Sequence, residues 1–342
     1  MEGSVKHLES LIKEFESMYV AVVGDPILDK VVDGKVRGHI PAHRDIQDLS
    51  VDFKSERYFP GGAANTAKGV FYLGARPTLY GPVGSGFNGE ELRRKMHGIG
   101  KFDYVLFGPG RETIMKETIR SQGNPVVRLS HGDVSDSLPR PYGLSREQAR
   151  SIVESISRSE SDLHVLMFSD YDKGTLDEYL SENLIKLARN RGAFVSASPK
   201  PENLRLFAGT DLIVLNREES ERFCTMMGYG PLSFADRAKL IRDEFNVENV
   251  VITLGEEGML AYNGRNHIIP SFVKEAVDTT GAGDMAFAAL SLALARGADI
   301  KVACHLANCY AGLACEKPDT YVPGRNELIE RVKGEIDQLV AR

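Results

Sequence analysis

The chain has 342 residues, with 42 Lys and Arg against 48 Asp and Glu and a formal net charge of -6. At roughly 150 residues per domain it is one large α/β domain with additions or two ordinary domains, and 42% hydrophobic with 26% charged residues excludes disordered and collagen-like chains. The acidic balance argues against a nucleic-acid or anionic-membrane surface, which needs a positive field, so an anionic ligand has to be gripped locally.

At the start of the chain, residues 1–18 mix Glu and Lys with Leu8, Leu11, Ile12 and Phe15 at helical spacing, which predicts an amphipathic helix rather than a signal peptide. Short apolar runs at 19–23, 78–83, 104–107, 164–169, 194–197, 211–215 and 250–254 read as buried strands. Between them, 64–73, 90–96, 146–157, 176–191, 218–227 and 234–245 have helical period. That alternation is the pattern of an α/β fold, a mostly parallel sheet covered by helices on both faces.

Two stretches break the pattern. Residues 30–58 are charged and alternating, and 113–130 read as a hairpin around Gln122-Gly123-Asn124-Pro125. Together they predict a small separate β sheet, a lid, inserted twice into a single domain spanning 1–342. From 278 onward the chain returns to helices; the apolar run 285–295 is too short for a bilayer and follows Asp284 directly, so it reads as a buried helix. Cys224, Cys304, Cys309 and Cys315 form no CxxC pair, which points to a reducing, cytoplasmic setting. The last three, with His305, fall in the apolar helical stretch 301–315, where Cys packs as a small hydrophobe.

The segment richest in chemistry is Asp278-Thr279-Thr280-Gly281-Ala282-Gly283-Asp284, which opens onto that apolar helix. Small residues before a helix let a ligand approach the backbone, and the unpaired N–H groups of the first turn make an anion hole. Asp284 at the helix start is positioned to take a hydroxyl proton beside those amides, an arrangement suited to phosphoryl transfer to an alcohol. The plainer alternative is a tight turn at Gly281 and Gly283 with Asp284 as a helix cap.

This segment resembles the C-terminal signature of the ribokinase (PfkB) family of carbohydrate kinases. Pro60-Gly61-Gly62-Ala63-Ala64-Asn65-Thr66-Ala67, followed by Leu73-Gly74-Ala75 and Gly81-Pro82-Val83-Gly84, is similar to its N-terminal signature. Within the family the chain looks most like the D-glycero-β-D-manno-heptose 7-phosphate kinases: Gly24-Asp25-Pro26-Ile27-Leu28-Asp29, Ser169-Asp170-Tyr171-Asp172-Lys173-Gly174 and Asn216-Arg217-Glu218-Glu219 match their segments. The resemblance implies a ribokinase-like α/β/α sandwich with a β lid, ATP-dependent phosphorylation of a sugar or sugar phosphate, and a homodimer paired through the lids.

By the same resemblance Asp284 is the base, with the Gly281, Ala282 and Gly283 amides on the transferring phosphoryl group. Asp25, Asp29, Gly61, Gly62 and Asn65 are expected to face the sugar, together with Asp170, while Lys116, Arg128 and Lys173 are expected on an anionic substituent or on phosphate. Asn216, Thr253, Gly255, Gly258 and Asn308 would flank ATP, and Glu219 with Asn216 would organise Mg²⁺ indirectly. Asp278 and Thr280 lie where relatives often hold a monovalent cation such as K⁺.

Three segments depart from the heptose kinases. Gly38-His39-Ile40-Pro41-Ala42-His43-Arg44 replaces a stretch that reaches the sugar, Gly84-Ser85-Gly86-Phe87-Asn88-Gly89 lacks an expected Asp, and Ser198-Pro199-Lys200-Pro201 replaces Asp-Pro-Lys-Gly. His39, His43 and Arg44 add positive charge beside the expected lid. Gly84 to Gly89 also matches the Gly-x-Gly-x-x-Gly fingerprint of an NAD-dependent dehydrogenase. That fingerprint expects an acidic residue after the next strand, yet Asp103 precedes it, and residues 278–284 are left unexplained. A third reading is a non-catalytic sugar-binding protein on a kinase fold.

Overall fold

The computed structural model describes residues 2–43, 46–106, 111–132, 143–159, 162–273 and 276–340; Arg44, Phe107 and the Gly108-Pro109-Gly110 turn fall outside them, as do the side chains of His39 and His43. The chain runs α1 (Glu2–Glu14), β1 (Tyr19–Gly24), β2 (Pro26–His43), β3 (Ile46–Gly62), α2 (Ala63–Tyr72), β4 (Arg76–Val83), α3 (Phe87–Met96), β5 (Lys101–Leu106), β6 (Met115–Ser121), β7 (Asn124–His131) and α4 (Arg146–Arg158). It continues through β8 (Leu163–Ser169), α5 (Glu178–Asn190), β9 (Phe194–Ser198), β10 (Leu212–Asn216), α6 (Arg217–Met226), α7 (Phe234–Phe245), β11 (Asn249–Thr253), β12 (Met259–Tyr262), β13 (Asn266–Ile269), α8 (Ala282–Ala295), α9 (Ile300–Cys315) and α10 (Arg325–Val340).

Each predicted apolar run is a strand of one nine-stranded sheet, ordered β13-β12-β11-β10-β9-β8-β1-β4-β5. Neighbours from β11 to β5 are parallel, and β12 and β13 are antiparallel additions at one edge. Parallel strands are buried on both faces, which is why they read as unbroken apolar runs. One face packs Ile12, Phe287 and Tyr310 from α1, α8 and α9, and the other packs Ile152, Leu184 and Ile241 from α4, α5 and α7. The short hairpin β12–β13 gives no run long enough to register in the sequence.

Parallel strands all end at the same edge, so Gly24, Ser169, Ser198, Asn216 and Thr253 arrive side by side there. The lid is a second, four-stranded sheet ordered β3-β2-β6-β7. Its β2 and β3 reach from Pro26 to Gly62, further than the predicted 30–58, so that Asp29 belongs to the lid. Gln122 (φ 52°) and Gly123 (φ 83°) turn the β6–β7 hairpin, with the two left-handed residues that a two-residue hairpin loop favours. Among the described residues no helix is long and apolar enough to cross a membrane.

The dinucleotide reading fails on local geometry. Gly84 N–H donates to Thr113 Oγ1 at 2.8 Å, and the Glu112 carboxylate fills the space where a side chain at Gly86 would stand. A carboxylate in that position repels a pyrophosphate.

Tyr310 is fully buried, and its hydroxyl is shared between Gly69 O at 3.0 Å in α2 and Pro323 O at 3.1 Å before α10. Tyr310→Phe removes the donor that the two carbonyls share, although Gly69 O keeps the Leu73 N–H at 3.1 Å, so we expect a loss of about 1–2 kcal/mol, read as a lower urea midpoint by circular dichroism. An unchanged midpoint refutes the link.

Candidate active site

Asp284 opens α8 three residues after the left-handed Gly281 (φ 82°). Its Oδ1 accepts from Tyr171 OH at 2.7 Å and Thr66 Oγ1 at 3.0 Å, and its Oδ2 accepts from Asn65 Nδ2 at 2.7 Å. Burial pushes the carboxyl above the usual carboxylate range, against the opposing pull of those hydrogen bonds and of Lys116. The result is a carboxylate with a fixed orientation and a raised basicity. Oδ2 carries a single donor, so it has a lone pair free for an incoming hydroxyl proton.

The turn before it is only partly an open anion hole. Ala282 N–H reaches back to Thr279 O at 3.3 Å, a long bond that a phosphoryl oxygen can replace. Gly283 is exposed, and a side chain there would meet nothing within 4 Å, so the ligand has free approach at that point. Gly281 is tightly enclosed instead: an added Cβ would stand 2.6 Å from Asn65 Nδ2 and 2.8 Å from Thr320 Cγ2.

Across from Asp284, Asp29 and Lys116 are paired residues on β2 and β6. Burial raises the Asp29 carboxyl from 3.8 to about 6, with Lys116 pulling it down and Asp284 pushing it up. Lys116 is drawn below the usual lysine value, first by burial and then by Lys173 and Lys200 nearby. The ammonium groups of Lys116 and Lys200 lie 5.0 and 5.4 Å from the Tyr171 ring centroid, within cation–π range. Asp29, Asp284, Tyr171 and three lysines therefore share one cluster. Gly61 makes room for the Asp29 carboxylate, which occupies the place of a side chain there, and Gly62 (φ 57°) turns β3 into α2.

Several expected ligand contacts are used inside the protein. Asp25 is 2% exposed and its carboxylate accepts from the N–H groups of Tyr171, Lys173 and Thr175 at 2.9, 3.2 and 3.1 Å. The residue builds the loop rather than facing a sugar. Asp170 is 3% exposed and accepts from Lys200 N, Asp172 N and Asn203 Nδ2, with burial and then the Asp25 charge pushing its carboxyl upward. It too is internal. Arg128 is exposed on the edge strand β7 opposite Thr118, and among the described residues no hydrogen bond or ion pair ties it to Asp284.

On the neighbouring strand ends, Asn216 and Glu219 close a capping box on α6 at 2.8 and 2.9 Å, and Lys200 Nζ donates to Glu219 Oε1. Thr253 ends β11, Gly255 (φ 64°) is exposed, and Gly258 (φ 95°) turns tightly against Ile269 O. Asn308 is 6% exposed and its Nδ2 donates to Pro270 O at 3.0 Å, which makes it a support for that edge.

The expected monovalent-cation position holds a guanidinium. Asp278 Oδ1 accepts from Thr280 N at 3.0 Å and Oδ2 accepts from Arg120 Nη2 of the lid at 2.6 Å. Burial would raise this carboxyl, but the hydrogen bonds from Thr280 and Arg120 outweigh it and hold the group below its ordinary value. Arg120 meets the Asp278 charge at Oδ2, the charge that would otherwise draw a K⁺ ion to this position.

The family described as pfkB family carbohydrate kinase matches residues 30–326. The chain belongs to the pfkB carbohydrate kinase family. It is 30% identical over 328 residues to the bifunctional protein HldE of Shewanella piezotolerans, covering 94% of this chain and 65% of that protein. HldE of Shewanella amazonensis is likewise 30% identical over 321 residues, with 93% and 64% covered, so the chain spans just under two thirds of these relatives. Among solved structures, phosphofructokinase-2 from Escherichia coli in complex with substrates and products has a TM-score of 0.73 at 18% identity, covering 93% of this chain and 98% of that one. A putative ribokinase from Agrobacterium tumefaciens gives 0.72 at 19% identity, with 94% and 99% covered. These confirm the ribokinase-like fold with its lid. Family membership makes the chain a pfkB-type carbohydrate kinase and sets the dehydrogenase reading aside.

Residues of this pfkB kinase that sequence reasoning passed over are Thr66, Lys200, Arg120 and Asp319. Thr66 stood inside a quoted motif and Lys200 inside a departing one, whereas nothing local marks Arg120 or Asp319.

Asp284→Asn keeps the shape and removes the proton acceptor, so turnover should fall by about 10²–10⁴-fold with ATP affinity unchanged; stopped-time ADP assays and nucleotide titration check this, and near-normal turnover refutes the base. Asp29 titrates higher folded than unfolded, so its contribution to stability is present below pH 4 and lost as pH rises through about 6. Asp29→Asn should therefore stabilise the protein by up to about 3 kcal/mol at pH 7, with the gain shrinking toward pH 4 in urea titrations, while acceptor binding weakens. A variant less stable than wild type at pH 7 contradicts the buried-charge account.

Proposed function

We propose that the protein transfers the γ-phosphate of ATP to a hydroxyl of a sugar that already carries a phosphate, with D-glycero-β-D-manno-heptose 7-phosphate as the acceptor. The observation that carries this reading is the cluster itself: one oriented carboxylate, Asp284, faces Asp29 and the Lys116, Lys173 and Lys200 ammonium groups. Asp284 Oδ2 takes the hydroxyl proton, Asp29 accepts from a neighbouring hydroxyl, and the lysines balance phosphate charge. The heptose acceptor is supported by the resemblance of Gly24 to Asp29 and Ser169 to Gly174 to heptose 7-phosphate kinases, and by the likeness to HldE proteins. We read 1–342 as one catalytic unit with its lid.

Mg²⁺ enters with ATP and, when bound, neutralises phosphate charge. Among the described residues no group of three or more His, Cys, Asp or Glu is placed to ligate a metal directly. Glu219 and Asn216 fit an ion held through water, because the capping box leaves lone pairs on the Glu219 carboxylate. Phe53 and Leu129 of the lid and Phe87 beside it are 66%, 41% and 60% exposed, and we assign this outer side to the contact of a lid-paired homodimer.

ADP release should be about 100-fold more efficient with the heptose 7-phosphate than with free hexoses, ribose or adenosine. Turnover supported by a nucleoside alone would sink the acceptor assignment. Lys116→Gln should raise the KM for the phosphorylated acceptor about tenfold or more while the KM for ATP moves less; the reverse split would place Lys116 on the nucleotide.

A further inference from the structure

The segment that carries Asp284 is fastened to the lid by charge. Arg120, on β6 and 12% exposed at its side chain, forks across two carboxylates: Nη2 to Asp278 Oδ2 at 2.6 Å and Nη1 to Asp319 Oδ1 at 2.9 Å. Asp319 also binds Arg57 of β3 at 2.9 Å, and Arg57 binds Asp33 of β2 at 2.8 Å. Asp319 N–H donates to Asp278 Oδ2 at 3.3 Å, so the two carboxylates sit against each other. Without an interposed cation they would repel.

The loop that presents Asp319 is conformationally costly. Asp319 (φ 67°) and Thr320 (φ 50°) are successive left-handed non-glycine residues, and a β-branched residue seldom adopts that region. Thr320 is also the residue packed against Gly281, the first residue of the phosphate-binding turn. Val277 and Asp278 N–H both donate to Cys315 O, at 2.8 and 3.1 Å, which ties the start of the turn to the end of α9. The geometry of Gly281 to Asp284 therefore depends on a strained loop that Arg120 and Arg57 hold in place.

We propose that the Arg120 guanidinium is the resident cation of this loop, a positioning residue that sets the phosphate-binding turn when the lid docks and makes nucleotide binding independent of K⁺. A guanidinium supplies one positive charge with a planar fork matched to two carboxylates, which neither a spherical ion nor a lysine reproduces. Because Arg120 lies four residues after Lys116 on the same strand, the lid that brings Lys116 to the acceptor also completes the donor turn. The inference goes beyond the choice of acceptor and rests only on the chain being an ATP-dependent kinase.

The test uses the full chain and no sugar, so an incorrect acceptor leaves it intact. Binding of the non-hydrolysable analogue AMP-PNP with Mg²⁺ is titrated in 100 mM KCl and in tetramethylammonium chloride at equal ionic strength, so that the Debye length, about 10 Å, is the same in both and only the identity of the cation differs. Wild type should bind equally in both salts, within about twofold. Arg120→Gln should bind about tenfold more weakly in tetramethylammonium and regain part of that affinity in KCl, where a small ion meets the charge of the freed carboxylates without reproducing the fork; Arg120→Lys should fall between. A merely structural arginine would not convert the protein to cation dependence. Wild-type affinity or thermal midpoint that rises severalfold or by several degrees with K⁺ overturns the proposal, as does an Arg120→Gln protein that binds like wild type in both salts. Should Arg120→Gln fail to fold, the wild-type titration decides alone, and Asp319→Asn provides the second variant, with the same expected weakening.

Discussion

A buried carboxylate that must be satisfied and held in one orientation is the constraint on which the rest of this structure depends. Asp284 meets it with three donors drawn from distant parts of the chain, Asn65 and Thr66 on α2 and Tyr171 in the loop after β8. Neither contributing element is placed by chance. Asp25 holds both: its carboxylate gathers the N–H groups of the 171–175 loop, and its carbonyl accepts from Ala63 N at 3.0 Å, where α2 begins. Ser169, at the end of β8, adds a hydroxyl contact to Thr66 at 3.1 Å. The orientation of one carboxylate is thus inherited from the buried strand ends of β1 and β8.

Electrostatics allows an acidic protein to keep a local basic cluster. Lys116 and Asp29 are each driven toward neutrality by burial and each drawn back toward charge by the other. Such a pair leaves Lys116 desolvated, the condition in which the phosphate of the proposed acceptor would be a favourable second partner for it. The net charge of -6 does not oppose this, because at physiological salt exposed charges more than about 8 Å away are screened while buried neighbours are not.

The parallel strands and the turn at 278–284 were legible in sequence for physical reasons: strands buried on both faces leave apolar runs, and a backbone approached by a ligand leaves glycines. Asp284 and Asn65 were legible with them. The roles of Asp25 and Asp170 were not, because a carboxylate that satisfies buried N–H groups carries the same letters as one that meets a sugar. Arg128 lies on the exposed edge strand β7, opposite Thr118. Arg120, Asp278 and Asp319 are separated by 158 and 199 residues from lid to body, so no local pattern could join them. The hairpin β12–β13 escaped because four-residue edge strands have too few positions to show a period.

The lid shows how much of the site is a matter of strand register. In the parallel pairing of β2 with β6, Asp29 lies opposite Lys116 and Asp33 opposite Arg120, while the intervening Lys30 lies opposite Glu117. Side chains alternate faces, so Asp29, Lys116, Arg120 and Arg57 share one face, and Lys30, Glu56, Glu117 and His131 form a separate ionic group on the other. A slip of one residue would exchange the two sets and remove both the acceptor lysine and the arginine latch at once. The second group opposes such a slip, because Lys30 bridges Glu56 and Glu117, each at 3.1 Å, from the strands on either side. Partly exposed ion pairs of this kind add little to stability by themselves. Here they favour one register over its neighbours, and that register is what puts a cation beside Asp278 and another beside Asp29.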